Sequence, residues 1–165
     1  MYYFYFDASA LVKRYTQEIG SEKVNFLFNN APLNRIMCLI LGIVELFWVC
    51  VRKRNDGRIT NLDFSQAWIN LNDEVIDDQS DFKTISVPDQ LILDSMRLIE
   101  IHSLNSVDAV VLRAALNIAA ELRNTGDTLV LVASDQRLLR AAHTEGLQVF
   151  NPEVDSQQIL TDWIN

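Results

Sequence analysis

At 165 residues, 49% hydrophobic and 22% charged, the chain is long and apolar enough to bury one core and is not a disordered segment. Its longest apolar stretch, Ile36–Val51, is broken by Gly42 and Glu45 and is short for a bilayer span. A net charge of −8 argues against a broad nucleic-acid footprint, although an acidic site with a local basic rim remains compatible with it.

The opening lacks a basic n-region and an Ala-x-Ala cleavage pattern, so no secretory signal is expected, and the expected compartment is the cytoplasm without membrane association. Cys38 and Cys50 are too far apart for a CxxC pair, lack a second pair for zinc, and read as packing residues. Candidates for a basic rim are Lys13 with Arg14, the group Arg52, Lys53, Arg54 and Arg58, and Arg137 with Arg140. Each of these also reads as an ordinary solvated helix face.

Tyr2–Phe6 is aromatic without polar alternation, the pattern of a strand covered on both faces. Helices are expected over Ala8–Tyr15 and Ser21–Phe28, separated at Gly20. A second strand over Arg35–Leu39 runs into a helix reaching about Arg54, where Asn55-Asp56-Gly57 signals a turn. The next helix, Leu62–Ile76, follows Thr60 or Asn61 as cap, and the acidic run Asp73–Asp81 behind it reads as a solvated connection. A third strand is expected at Phe82–Val87, then helices at Asp89–Ile101 and Val107–Leu122. Thr128–Ala133 is the clearest buried strand; a helix over Gln136–Thr144 closes at Gly146, and Leu147–Phe150 is the last expected element. Strands alternating with helices in this way imply a parallel sheet with helices on both faces.

Ligands of open parallel sheets bind outside the carboxyl ends of the strands, which turns sequence position into a filter for carboxylates. Asp7 and Asp135 each follow a strand directly, where an Asp also serves as a helix N-cap. Glu45 stands in IMCLILGIVELFWVC, where an ionised carboxylate needs a partner such as Arg52 or Lys53, or a shifted pKa. Asp108 stands in NSVDAVVLRAAL, in the first helical turn after a cap at Asn105 or Ser106. Four converging acids repel strongly, and hard oxygen donors of this kind suit a Mg²⁺ or Mn²⁺ ion. His102 and His143 stand alone and make no zinc pattern. A metal held so can polarise a phosphodiester and activate water, which is chemistry for phosphoryl transfer or hydrolysis.

The segments FDASALVKRY, IVEL, NSVDAVVLRAAL and LVASDQRLLRAAHTEGLQVFNP, in that order, are similar to those of PIN-domain proteins of the VapC toxin type. The resemblance implies an α/β fold of three layers, with a central parallel sheet of four to five strands wrapped by helices. It places the whole chain, residues 1–165, in one PIN-like domain with a longer helical insertion around 55–88. It implies a Mg²⁺- or Mn²⁺-dependent endoribonuclease, the toxin component of a type II toxin–antitoxin pair. By motif, Asp7 and Asp108 would be the principal metal ligands, Glu45 and Asp135 would complete the pocket, and Ser9 and Ser134 would support the carboxylates. The implied partners are an RNA substrate, an antitoxin protein and a second copy of the chain as homodimer. Two alternatives stand beside this reading: a PIN-like protein-binding module with little or no nuclease activity, and a haloacid-dehalogenase-like phosphatase. The phosphatase needs a second Asp where this chain has Ser9.

Overall fold

The aromatic run at the start of the chain forms the middle of the sheet. In the computed structural model, which describes residues 1–164, β1 (Tyr2–Phe6) lies between β2 (Ile36–Leu39) and β4 (Thr128–Val132), with β3 (Lys83–Ile85) and β5 (Gln148–Phe150) on the edges. The order is β3-β2-β1-β4-β5 and every pairing is parallel. A parallel strand buried on both faces needs apolar residues at every position, and Phe4, Tyr5 and Phe6 are each no more than 1% exposed.

Alternation along β1 divides the core into two layers. Phe4 and Phe6 pack with Leu11 of α1 (Ala8–Tyr15), Leu27 of α2 (Ser21–Asn30), Leu46 of α3 (Ile40–Asn55) and Leu71 of α4 (Asn61–Leu71). Tyr5 faces the other layer, built from Leu98 of α5 (Asp89–His102), Leu112 of α6 (Ser106–Arg123) and Leu138 of α7 (Gln136–Thr144). This is the three-layer α/β arrangement expected from the sequence, with five strands.

Two local signals decide helix starts as read. Thr60 and Asp63 form a reciprocal capping box at α4, and Asn105 caps α6 through the Asp108 amide. The helix expected over Leu62–Ile76 stops being α-helical at Leu71 and continues as a π turn over Asn72–Ile76. The turn seats Val75 in the core while Glu74 reaches Arg14, whose Nε and Nη2 donate to its two carboxylate oxygens at 3.1 and 2.5 Å. The acidic run is therefore only partly a solvated connection: Asp73, Asp77, Asp78 and Asp81 are exposed, and Glu74 is anchored.

The chain carries one helix beyond the last element expected from the sequence. α8 (Gln157–Ile164) buries Leu160 in the first layer and lays Trp163 against Tyr2, ring centroids 5.5 Å apart, and edge-on to Phe150 at 6.0 Å. Its apolar residues Ile159, Leu160, Trp163 and Ile164 share one helical face, but eight residues are too few for a helix to stand alone, and the tertiary contacts hold it. Among the described residues no helix is long and apolar enough to cross a membrane.

Gly20 joins the two ends of the first layer. Its φ is +88°, and a Cβ there would stand 2.5 Å from the Pro152 carbonyl oxygen. Gly57 has a similar φ of +72° with nothing within 4 Å. An L residue at such a φ costs about 1–2 kcal/mol, so Gly57→Ala isolates the backbone penalty and Gly20→Ala adds the collision. We expect Gly20→Ala to lower Tm at least about twice as much as Gly57→Ala in thermal melts, with roughly 2–4 °C lost per kcal/mol. Equal losses would show that the Pro152 contact yields freely.

Candidate active site

Two strand ends come to one edge and are stitched together by a single hydroxyl. The Asp7 amide donates to the Val132 carbonyl at 3.0 Å, extending the β1–β4 ladder by one rung. Asp7 then caps α1: its Oδ2 accepts from the Ser9 amide at 2.9 Å and the Ser9 hydroxyl at 2.5 Å. Ser9 Oγ in turn accepts from the Ser134 amide at 2.9 Å and the Asp135 amide at 3.4 Å. A hydroxyl has one proton and two lone pairs, and here all three are used. Asp135 caps α7 through Oδ1, which accepts from the amides of Arg137 and Leu138 at 2.7 and 3.0 Å. Both Asp residues thus cap a helix and face a cavity at once.

The other two acids arrive from helices. Asp108 is held in the first turn of α6 by Asn105, whose Nδ2 donates to Asp108 Oδ2 at 2.7 Å. Glu45 lies further along α3, half-buried. The partners considered for it in the sequence are engaged elsewhere: Lys53 reaches Glu18 and Thr16, and the Arg52 guanidinium stacks on Trp48. Among the described residues Glu45 has no hydrogen-bond or ion-pair partner.

Asp7, Glu45, Asp108 and Asp135 line one cavity of about 460 Å³, together with Ser9 and Ser134. Burial pushes the Glu45 carboxyl up to about 7, with Asp7 and Asp108 adding to the shift. Burial likewise lifts Asp108 to about 6, helped by Asp7 and Asp135 and opposed by Arg137. Asp7 is raised by burial and by Asp135, against the Ser9 and Ala8 hydrogen bonds that favour its charged form. Shifts of this origin mark a set of like charges that nearby cations do not balance. Among the described residues no three acids, histidines or cysteines are already gathered as a chelate. The donor set nevertheless fits a hard divalent cation: the groups are carboxylates, they share one cavity, and the buried Ser134 hydroxyl on its wall lacks a hydrogen-bond partner.

The same cavity is lined by residues whose placement the sequence concealed. Lys13, only 3% exposed, donates to Glu18 at 3.0 Å and to Glu153 at 2.7 Å. Lys53 is also buried and binds Glu18 together with the Thr16 hydroxyl. Two of the cations proposed for a solvated rim are therefore interior ion-pair partners, and they hold Glu18 well ionised, its carboxyl below the usual range. No sequence signal pointed to Glu18 or Glu153, which are brought together only by tertiary structure. Trp48 and Arg52 did carry a signal, because with Glu45 they fall at i, i+3 and i+7 on one face of α3.

His102 meets Glu145 at the C-terminal end of α7, 2.7 Å from its Nε2, and is not among the residues that line the cavity. Raised carboxyl pKa values have a definite sign in stability. Below its ordinary value Glu45 is protonated folded or unfolded, and the advantage of the protonated folded form is lost as pH rises through about 7. Glu45→Gln removes that loss, discounted for half exposure to on the order of 1 kcal/mol. In chelator we expect the variant to melt about 2–4 °C above wild type near pH 8 and level with it near pH 4. A variant that melts lower than wild type near pH 8 would contradict the repulsion.

The family comparison covers most of the chain: the PIN domain model matches residues 4–143. The structure of PAE2754 from Pyrobaculum aerophilum is similar at a TM-score of 0.58 and 20% identity, covering 98% of this chain and 94% of that one. FitAB bound to the IR36 DNA fragment gives 0.62 at 11% identity, covering 93% and 97%. FitAcB from Neisseria gonorrhoeae gives 0.57 at 13% identity, covering 90% and 97%. No curated protein sequence matches the chain. At such identities the structural likenesses speak for the fold, and it is the family match that decides membership: the chain belongs to the PIN domain family, whose members are generally nucleases that use divalent metal ions.

Proposed function

We propose that this chain is a Mg²⁺- or Mn²⁺-dependent endoribonuclease that hydrolyses phosphodiester bonds in single-stranded RNA, and that it is the toxin half of a toxin–antitoxin pair. The observation that carries the reading is the convergence of four carboxylates from four elements on one cavity, where burial and their mutual repulsion raise the Glu45 and Asp108 carboxyls. Asp7 and Asp108 would hold the ion, with Glu45 and Asp135 completing its surroundings. When bound, the metal supplies Lewis acidity toward the phosphate and lowers the pKa of the attacking water. Ser9 fixes the Asp7 carboxylate through its amide and hydroxyl while tying it to the β4 end. Glu45, free of partners, is the group able to take a proton from water at neutral pH.

The partners follow from exposure and from the relatives. Ile40 and Val44 on α3 and Leu93 and Met96 on α5 are exposed apolar side chains of the kind an antitoxin segment or a second copy covers. The similarity to FitAB bound to DNA supports a DNA-binding antitoxin partner. We read residues 1–165 as one such domain, with residues 55–88 as its added helical part.

The test is cleavage of single-stranded RNA with Mg²⁺ or Mn²⁺ and with chelator. Asp7→Asn and Asp108→Asn should each reduce the rate at least about a hundredfold, the scale of losing a charged stabilising group. Asn keeps the capping role at position 7, so the fold should persist. Saturating Mn²⁺ should raise the wild-type Tm, by about 2.7 kcal/mol of stability at a hundred times Kd, and leave Asp7→Asn nearly unmoved. Cleavage that survives both substitutions rejects the mechanism. An unchanged wild-type Tm would favour the protein-binding module.

A further inference from the structure

α3 presents Glu45, Trp48, Val49 and Arg52 along one face, and all four line the cavity that holds the acids. Trp48 is 56% exposed. An indole left in water at the mouth of an acidic cavity is costly for packing and suited to stacking. Its upper face is not bare, because the Arg52 guanidinium lies 4.7 Å from the ring centroid.

The charges around it narrow the occupant. Lys13 and Lys53 are committed to Glu18 and Glu153, and Arg58 pairs with Asp56 at 2.9 Å. Arg52 makes no ion pair among the described residues and is the cation of the cavity wall left to meet a phosphate. A strand entering this net-acidic cavity gains little from the usual electrostatic grip. Base stacking on an aromatic ring is neutral, tolerant of sequence, and available only to an unpaired base.

We propose that Trp48, held by Arg52, is a stacking platform for an unpaired nucleobase next to the bond to be cut, and so selects single-stranded over duplex substrate. The proposal rests on the ribonuclease reading for its substrate class. The platform and Glu45 share one rigid helix one turn apart, so a base seated on the indole sets where its phosphate meets the carboxylates. Trp48 is a positioning and specificity residue in this account and takes no part in proton transfer.

The test measures binding apart from cleavage. In an Asp7→Asn background, Kd is measured by anisotropy for a labelled single-stranded oligoadenylate and for an abasic ribose-phosphate strand of equal length. Trp48→Ala should weaken oligoadenylate binding about tenfold, within the range of one stacked base, and Trp48→Phe should recover most of it. The abasic strand should bind both proteins equally weakly. With Asp7 intact and metal present, Trp48→Ala should raise KM by a similar factor and also lower kcat on oligoadenylate, because the unseated base no longer places its phosphate, and Trp48→Phe should restore most of both. Equal affinity of Trp48→Ala and its parent for oligoadenylate, or an equal loss on the abasic strand, overturns the platform. It would leave the exposed indole to a protein partner. Wild-type protein that cuts nothing but still binds oligoadenylate through Trp48 would reject the nuclease reading and keep the platform.

Discussion

The parallel register of β1 on β4, with Phe6 beside Val132, is the constraint on which the site depends. It brings Asp7 and the Ser134-Asp135 pair to the same edge, and the Ser9 hydroxyl can bridge them only because the two strands end together. Burial enforces the register from both sides. A slip by one residue would exchange Phe4 and Phe6 for Tyr5 between two different cores. The aromatic strand therefore does more than fill space: it fixes in position a carboxylate that its neighbours repel. Sheet order adds the opening, since the chain turns from β2 and β3 on one side of β1 to β4 and β5 on the other, and a crevice forms where the direction reverses.

Within that crevice the protein treats its acids in two opposite ways. Glu18 is flanked by Lys13 and Lys53 and stays charged, which braces the segment between α1 and α2 against Glu153 near the end of the chain. Burial and the neighbouring acids drive Glu45 and Asp108 toward protonation, with only Arg137 opposing at Asp108 and no cation opposing at Glu45. The difference is not one of burial alone, because Asp7 is the most enclosed of the acids and is still stitched in place by Ser9. A fold that neutralises one group of carboxylates with interior lysines and leaves the adjacent group uncompensated has stability invested in that group. The uncompensated group is what marks the pocket as a candidate site, and it does so independently of the family match.

Much of the arrangement was legible from local chemistry. Strand ends, caps and the Gly146 stop are short-range features, and the residues that specify them are neighbours in sequence. Asp7 and Asp135 are legible because the strand-edge rule converts sequence position into spatial position, and Glu45 and Asp108 because each is a carboxylate set in an apolar run. Three kinds of fact were hidden. Lys13 and Lys53 look like solvated helix charges, and only the return of Glu153 and the seating of Glu18 make them interior. The π turn after Leu71 follows from anchoring Glu74 on Arg14, a contact sixty residues apart along the chain. α8 owes its place to Trp163 lying on Tyr2 at the far end of the sequence. In each case the deciding partner is distant, and periodicity carries no information about it.

The i, i+3, i+7 face of α3 joins the two halves of the problem, chemistry and recognition. Leu46 and Cys50 on the opposite side of the helix are nearly fully buried, so α3 cannot roll to move Glu45 without disturbing the core under Phe6. Trp48 is carried by that same rigid body. Its distance to the carboxylate is therefore set by helix geometry, about 1.5 Å of rise per residue, and not by loop conformation. A recognition element on a loop could hold a base while the phosphate drifted. On the proposed reading, positioning the base positions the phosphate, and an acidic protein with little long-range pull on RNA would still place it accurately at short range.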